Sequence, residues 1–247
     1  IAAANTTSVK KWPPDTTRRD AIRTPNKVAA PIAISRHGAA ISAAGASRHL
    51  DSAELREEAI ADCDALVMSA YSLMGGPQKE YALQALSLAR KHKLTTFVDL
   101  GTGAVKALQE RLVPTLRGVD YWLMNERELY MLTGRTTISE AVRDLREDGI
   151  EQIVVKVGAM GSIVINAEFT ELVEAHEIDN VIDSTGAGDY YTAAFAHAIM
   201  AGHDLYGAAR LGNVAGALNT TVVGAQSLAL DAATLERHAA IPTDATA

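Results

Sequence analysis

The chain has 247 residues, enough for one large domain or two small ones. Apolar residues make up 48% and charged residues 21%, the balance of a globular protein in water, and the net charge of −7 argues against generic binding to nucleic acid or an anionic membrane. The single cysteine, Cys63, excludes an intramolecular disulfide framework and fits a reducing cytoplasm. No apolar run reaches the ~18 residues of a membrane span, and no segment has the charged start and apolar middle of a signal peptide.

Residues 1 to 27 stand apart. They lack apolar periodicity, and Lys10, Lys11, Arg18, Arg19, Arg23 and Lys27 face only Asp15 and Asp20. The segment reads as a solvated, irregular arm. From Val28 the pattern changes, and 28–247 is expected to be one α/β domain. "PIAISRHGAAISAAG" suggests two short strands around Arg36-His37-Gly38. "SAELREEAIA" suggests a helix capped by Ser52. "ALVMSA" reads as a buried strand, with Cys63 just before it in or near the core. "GPQKEYALQALSLARKH" is an amphipathic helix opened by Pro77. Then follow the strand "TTFVDL", the helix "AVKALQERL", the strand "VDYWLM", the helix "ERELYMLTG" closed by Gly134, and the helix "ISEAVRDLREDG". "QIVVKVG" and "SIVIN", three residues apart, suit an antiparallel hairpin at a sheet edge, and "FTELVEAHEI" suggests one more strand. Helices are expected over about 188–201, 204–220 and 231–239. Short apolar strands alternating with helices predict a mostly parallel sheet covered on both faces.

The chemistry concentrates in "VIDSTGAGDYYTAAFAHAIMAG". Thr185-Gly186-Ala187-Gly188-Asp189 is a tight turn that feeds a helix, so its backbone N–H groups are left free and point one way, which makes an anion site. The N–H groups of Gly186, Ala187 and Gly188 suit the charged oxygens of a transferring phosphoryl group, and the Asp189 carboxylate beside them suits removal of a proton from an attacking hydroxyl. Other chemistries fit poorly. No G-x-x-x-x-G-K-[ST] and no G-x-S-x-G occurs. Gly101-x-Gly103 follows a strand, but Lys106 stands where a dinucleotide fingerprint needs its third glycine. The seven histidines form no H-x-x-x-H pair, which removes the usual zinc arrangement, and His197 reads as a packed or surface residue.

"DSTGAGDYYTAAF" closely resembles the C-terminal signature of the ribokinase-like (PfkB) carbohydrate kinase family, with Tyr191 where phenylalanine is usual. Three further stretches fit in order. "MNERELYMLTG" resembles the family's N-x-x-E segment through Asn125 and Glu128. "VVKVGAMGSIVI" resembles its K-x-G-x-x-G strand pair through Lys156, Gly158 and Gly161. "GNVAGALNTTVVGAQS" resembles its nucleotide-side helix and following loop. The resemblance implies an ATP-dependent kinase that phosphorylates a hydroxyl of a small sugar, or of a nucleoside, with Asp189 as general base and Gly186, Ala187 and Gly188 as the anion hole. It implies that Asn125 and Glu128 organise Mg²⁺ and phosphates through water, and that Lys156, Gly158, Gly161 and Asn213 lie along the nucleotide. It also allows K⁺ held by Asp183 with carbonyls near Gly224, and a homodimer.

The chain departs from the family on the substrate side. The family's first strand with its substrate-binding aspartate, the Gly-Gly-Asn segment and the lid strands have no counterpart here, and the chain, which opens on Ile1, is expected to begin after them. After "TTFVDL" stands Gly-Thr-Gly, where many relatives have D-x-N-x-R. The rival expectation is a non-catalytic member of the fold that binds a nucleotide or a protein.

Overall fold

The computed structural model describes residues 51–239. The expected arm, the strands around Arg36-His37-Gly38 and the boundary at residue 28 lie outside the described residues.

Six strands form one sheet in the order in which they occur: β1 (Ala65–Ser69), β2 (Thr95–Asp99), β3 (Tyr121–Asn125), β4 (Gln152–Lys156), β5 (Ser162–Ile165) and β6 (Thr170–Val173). β1 to β4 are parallel neighbours, and β5 and β6 are added antiparallel. Nine helices are described: α1 (Glu57–Ala61), α2 (Pro77–Lys91), α3 (Thr102–Leu108), α4 (Leu112–Leu116), α5 (Glu126–Thr133), α6 (Ile138–Glu147), α7 (Ala187–Met200), α8 (Leu205–Asn219) and α9 (Ala232–Ala239).

Strand side chains alternate between two cores, because successive Cβ atoms leave a strand on opposite faces. Val98, Trp122, Met124, Ile153 and Val155 face one core with Leu86 of α2, Val105 of α3, Leu129 of α5 and Leu145 of α6. Phe97, Leu123, Val154, Val164 and Val173 face the other with Phe195 of α7, Leu211 of α8 and Leu235 of α9. The inner positions of the central strands are therefore apolar, as a sheet covered on both faces requires, except Thr96 of β2, whose N–H and hydroxyl both donate to Asp120 at 2.7 Å. On the second face Phe97 stacks on Tyr121 at 4.8 Å between centroids, and Phe195 meets both edge-on at 6.3 and 5.8 Å. That aromatic group joins the sheet to α7.

Four local expectations are corrected. The segment 52–61 is no single helix. Asp51, and not Ser52, caps a short 3-10 turn over Ser52–Glu54; Leu55 and Arg56 are extended, and α1 starts after them. Neither piece has a buried residue, so packing gives nothing for a continuous helix. The helix expected over 104–112 starts earlier and breaks at Gln109, with φ +45°, before α4 resumes. Pro114 explains the break, since a continuous helix would need its missing N–H for the bond to residue 110, whereas near the start of α4 no such bond is required. β1 is an edge strand among the described residues and only partly buried, with Val67 49% exposed, and Cys63 is exposed. The β4–β5 hairpin is antiparallel as expected, but β6 lies outside it and forms the edge.

Candidate active site

Each of the four parallel strands ends on a polar residue: Ser69, Asp99, Asn125 and Lys156. All four line one cleft of about 2080 Å³ at the carboxyl ends of the strands, where open α/β sheets bind their ligands. A cleft of that size exceeds what one small molecule needs, about 300–1000 Å³, and has room for two. Sheet order lays out its walls. Tyr71 and the loop Gly101–Thr102 stand at the β1–β2 end; Gly158, Gly161, Leu172 and the segment 174–182 stand at the β5–β6 end; the N-terminus of α7 stands between.

The turn before α7 is built for close approach. Gly186 is its N-cap in the left-handed region, φ +86°, and a Cβ there would lie 2.7 Å from Ala225 Cα, so only glycine fits. The chain is stitched to the end of α8 from both sides. The Ile182 and Asp183 N–H groups donate to the Thr220 carbonyl at 2.7 and 3.1 Å, and Asn219 Nδ2 donates to the Thr185 carbonyl at 2.8 Å. Asp183 Oδ1 accepts from Thr185 N–H and Oδ2 from Gly224 N–H, each at 2.9 Å. The Thr185 hydroxyl, with these two N–H donors, holds the Asp183 carboxyl below its ordinary pKa. Asp183 thus works as a tie between two loops.

Ala187 N–H is turned to the Ser184 carbonyl at 3.2 Å, which removes it from the expected anion hole. Among the described residues no acceptor meets the N–H of Gly186, Gly188 or Asp189, so these three are the free donors at the positive end of α7. Asp189 is not the helix cap. It sits at the third position of α7, exposed and lining the cleft, and no donor among the described residues reaches its carboxylate.

Lys156 brings positive charge to the same place. Its Nζ lies 2.8 Å from Asp99 Oδ2 and 3.4 Å from Thr192 Oγ1, while Thr192 donates to Asp99 at 2.6 Å. The two charged side chains are only 14% and 17% exposed. A Cβ on Gly188 would come within 3.4 Å of Nζ, which places the ammonium beside the free N–H groups. Asp99 and Thr192 were not among the residues singled out from sequence. Asp99 ends a buried strand, a position that marks a site in such sheets, but its partners lie 57 and 93 residues away.

Asn125 and Glu128 form a capping box on α5: Asn125 Oδ1 accepts from Glu128 N–H at 2.9 Å, and Glu128 Oε2 accepts from Asn125 N–H at 3.0 Å. Glu128 is 4% exposed, yet lines the cleft, and Oε1 takes the Thr102 hydroxyl at 3.0 Å. At the far end Gly158 lies in a 3-10 turn, and Gly161, φ +103°, opens β5 with no room for a Cβ, which would lie 2.2 Å from the Val173 carbonyl oxygen. Asn213 donates to the carbonyls of Val173 and Glu174 at 2.9 and 3.0 Å and so anchors the wall that carries His176. Burial, with His238 at 5.6 Å and Arg210 nearby, pushes the His176 imidazole below its ordinary pKa. Tyr191 is buried against α8, its hydroxyl donates to Ser162 at 2.8 Å, and burial raises its phenol.

Among the described residues, the acidic side chains Asp99, Glu128, Glu174, Glu177, Asp179 and Asp189 line the cleft against a single Lys, Lys156. No group of three or more His, Cys, Asp or Glu among them is placed to hold a metal by itself. No described helix is long and apolar enough to cross a membrane.

Comparisons with known proteins identify the family and the fold. The model of the pfkB family carbohydrate kinases matches residues 38–233. A ribokinase of Arabidopsis thaliana is 33% identical over 149 residues, 58% of this chain and 38% of its own length. A ribokinase of Haemophilus influenzae is 28% identical over 203 residues, 79% of this chain and 63% of its own length. The chain therefore spans less than two thirds of these relatives. Among solved structures, the adenosine kinase of Sinorhizobium meliloti superposes with a TM-score of 0.72 at 24% identity, covering 78% of this chain and 59% of that one. A putative ribokinase II of E. coli, in complex with ATP and Mg²⁺, superposes at 0.70 with 22% identity, covering 77% of this chain and 63% of that one. The α/β architecture is thus that of the ribokinase-like structures, and with most of its length matched, the chain belongs to the pfkB family of carbohydrate kinases.

Proposed function

We propose that the protein is an ATP-dependent kinase that transfers the γ-phosphoryl group to a hydroxyl of a small sugar. The observation that carries this reading is the start of α7: three free N–H donors, an adjacent ammonium and an unpartnered carboxylate meet midway along a cleft with room for two ligands. Asp189 accepts the proton of the attacking hydroxyl as its oxygen bonds to the γ-phosphorus and the bond to the β-phosphate oxygen breaks, releasing ADP. The N–H groups of Gly186, Gly188 and Asp189 with Lys156 receive the charge on the equatorial oxygens. The nucleotide lies at the β5–β6 end along Gly158, Gly161 and the wall that Asn213 holds. The acceptor lies at the β1–β2 end.

A triphosphate entering a cleft with six carboxylates and one lysine needs a divalent cation, and Asn125 and Glu128 fit that task. Both Glu128 oxygens already accept a hydrogen bond, so its buried carboxylate would hold Mg²⁺ through water. When bound, Mg²⁺ neutralises phosphate charge; the chain itself positions the groups and moves the proton. K⁺ has less support, since both oxygens of Asp183 serve as acceptors for loop N–H groups.

The names of the curated relatives favour a sugar over a nucleoside: ribokinase, deoxyribokinase and 5-dehydro-2-deoxygluconokinase. The test is ADP release from Mg-ATP over a panel of sugars, sugar acids and nucleosides. Release that depends on a sugar is expected. Release that depends on a nucleoside alone moves the acceptor class, and no acceptor-dependent release refutes the kinase reading.

A further inference from the structure

Tyr71 stands at the β1–β2 end of the cleft, on the 3-10 turn Ala70–Leu73 that follows β1. Its ring lies across the Gly101-Thr102-Gly103 loop. A Cβ on Gly101 would come 2.4 Å from Cε2, and one on Gly103 would come 2.7 Å from Cε1, so the two opposite edges of the ring rest on the two glycines. The Gly103 N–H donates to the phenol oxygen at 3.1 Å. That bond uses the oxygen as acceptor and leaves the O–H free to donate elsewhere. Gly101-Thr102-Gly103 is the stretch that departs from the family pattern, and it has a physical consequence: with side chains at 101 or 103 this ring could not lie here. The ring is fixed from below, yet Tyr71 is 48% exposed, and no other aromatic ring stacks on it among the described residues.

A large apolar group that is immobilised and left bare in a cleft loses little entropy when a ligand covers it. The neighbouring wall residues Ser69, Asp99 and Thr102 are polar and suit the hydroxyls of such a ligand. Resting on the kinase reading above, we propose that Tyr71 is a specificity-determining residue for the acceptor: its bare face stacks on an apolar ring face of the acceptor, and its O–H donates to an acceptor hydroxyl. The ligand chemistry is an apolar ring face beside hydroxyls: a sugar presents both on one ring, and a nucleoside presents its base as the face and its ribose as the hydroxyls.

The test is calorimetry on the full chain with D-ribose and with adenosine, each added after the nucleotide end has been saturated with AMP-PNP and Mg²⁺. AMP-PNP affinity is measured separately. In Tyr71→Ala the ring is gone; in Gly103→Ala, at a helical position that tolerates alanine, the new Cβ drives the ring off the loop. Both variants are expected to weaken the acceptor that the wild type binds at least tenfold, with AMP-PNP affinity within twofold. Tyr71→Phe is expected to lose less than fivefold. Ribose binding identifies a sugar, adenosine binding a nucleoside. The proposal is overturned if Tyr71→Ala binds the acceptor as the wild type does, if it loses AMP-PNP affinity to the same extent, or if the wild type binds neither probe. Acceptor binding that needs Tyr71, without phosphoryl transfer, supports the proposal and refutes the kinase reading. Transfer that proceeds with unchanged acceptor affinity in Tyr71→Ala does the reverse.

Discussion

Under the proposed function, Lys156 of the Lys156–Asp99–Thr192 group would serve the fold and the chemistry together. Lys156 is held by two oxygens from different elements and delivered to the start of α7. Lys156→Met is expected to lower kcat/KM by roughly 10²-fold or more, through loss of charge stabilisation on the transferring group. It is also expected to cost on the order of 2–4 kcal/mol of stability, because Asp99 stays mostly buried with one hydroxyl for company. Urea unfolding beside steady-state kinetics separates the two, and an unchanged kcat/KM would remove Lys156 from the site. None of this group could be assembled from the sequence. Lys156 was legible through its K-x-G-x-x-G setting, but Asp99 and Thr192 come from elements that only the packed sheet brings together.

At the scale of elements, the turn into α7 is held by backbone conformation and by Asp183. Gly186→Ala is expected to destabilise by about 1–3 kcal/mol, since the new Cβ meets Ala225 and the left-handed conformation is costly for alanine. Thermal unfolding checks this, and a neutral result would mean that the turn rearranges freely. Asp183 has a lowered folded pKa, so its stabilisation is complete above the ordinary carboxylate range, about 4, and is lost as pH falls through the lower folded value. Asp183→Asn is therefore expected to be less stable than the wild type at neutral pH, with the difference shrinking in acid. A pH series of urea unfolding curves for both proteins checks it, and a constant difference would contradict it. The elements that sequence foresaw best have local causes, such as Pro77 opening α2, the Asn125–Glu128 box opening α5 and Gly134 closing it. The helices that broke, α1 and the α3–α4 pair, depend on whether a face finds a partner and on the bond that Pro114 cannot make.

Across the whole molecule, the two cores were visible as short apolar runs in β2, β3 and β4, because strands covered on both faces bury successive residues; the buried Thr96 of β2 is the polar exception. The exposure of β1, an edge strand among the described residues, was not visible, since an edge strand and a central one can carry the same residues and differ only in their neighbours. The aromatic group of Phe97, Tyr121 and Phe195 ties the sheet to α7, the helix whose N-terminus lines the cleft. Phe195→Ala is expected to cost about 3–5 kcal/mol, read by urea unfolding. A loss below about 1 kcal/mol would mean that α7 is held mainly by α8.

The sheet, the turn and α7 converge on one carboxylate, so the most direct measurement is single-turnover phosphoryl transfer by Asp189→Asn. With Mg-ATP and the acceptor found active, transfer is expected to fall by roughly 10²–10⁴-fold, with AMP-PNP affinity and unfolding midpoint unchanged. Transfer at the wild-type rate would contradict the assignment of Asp189 as the general base.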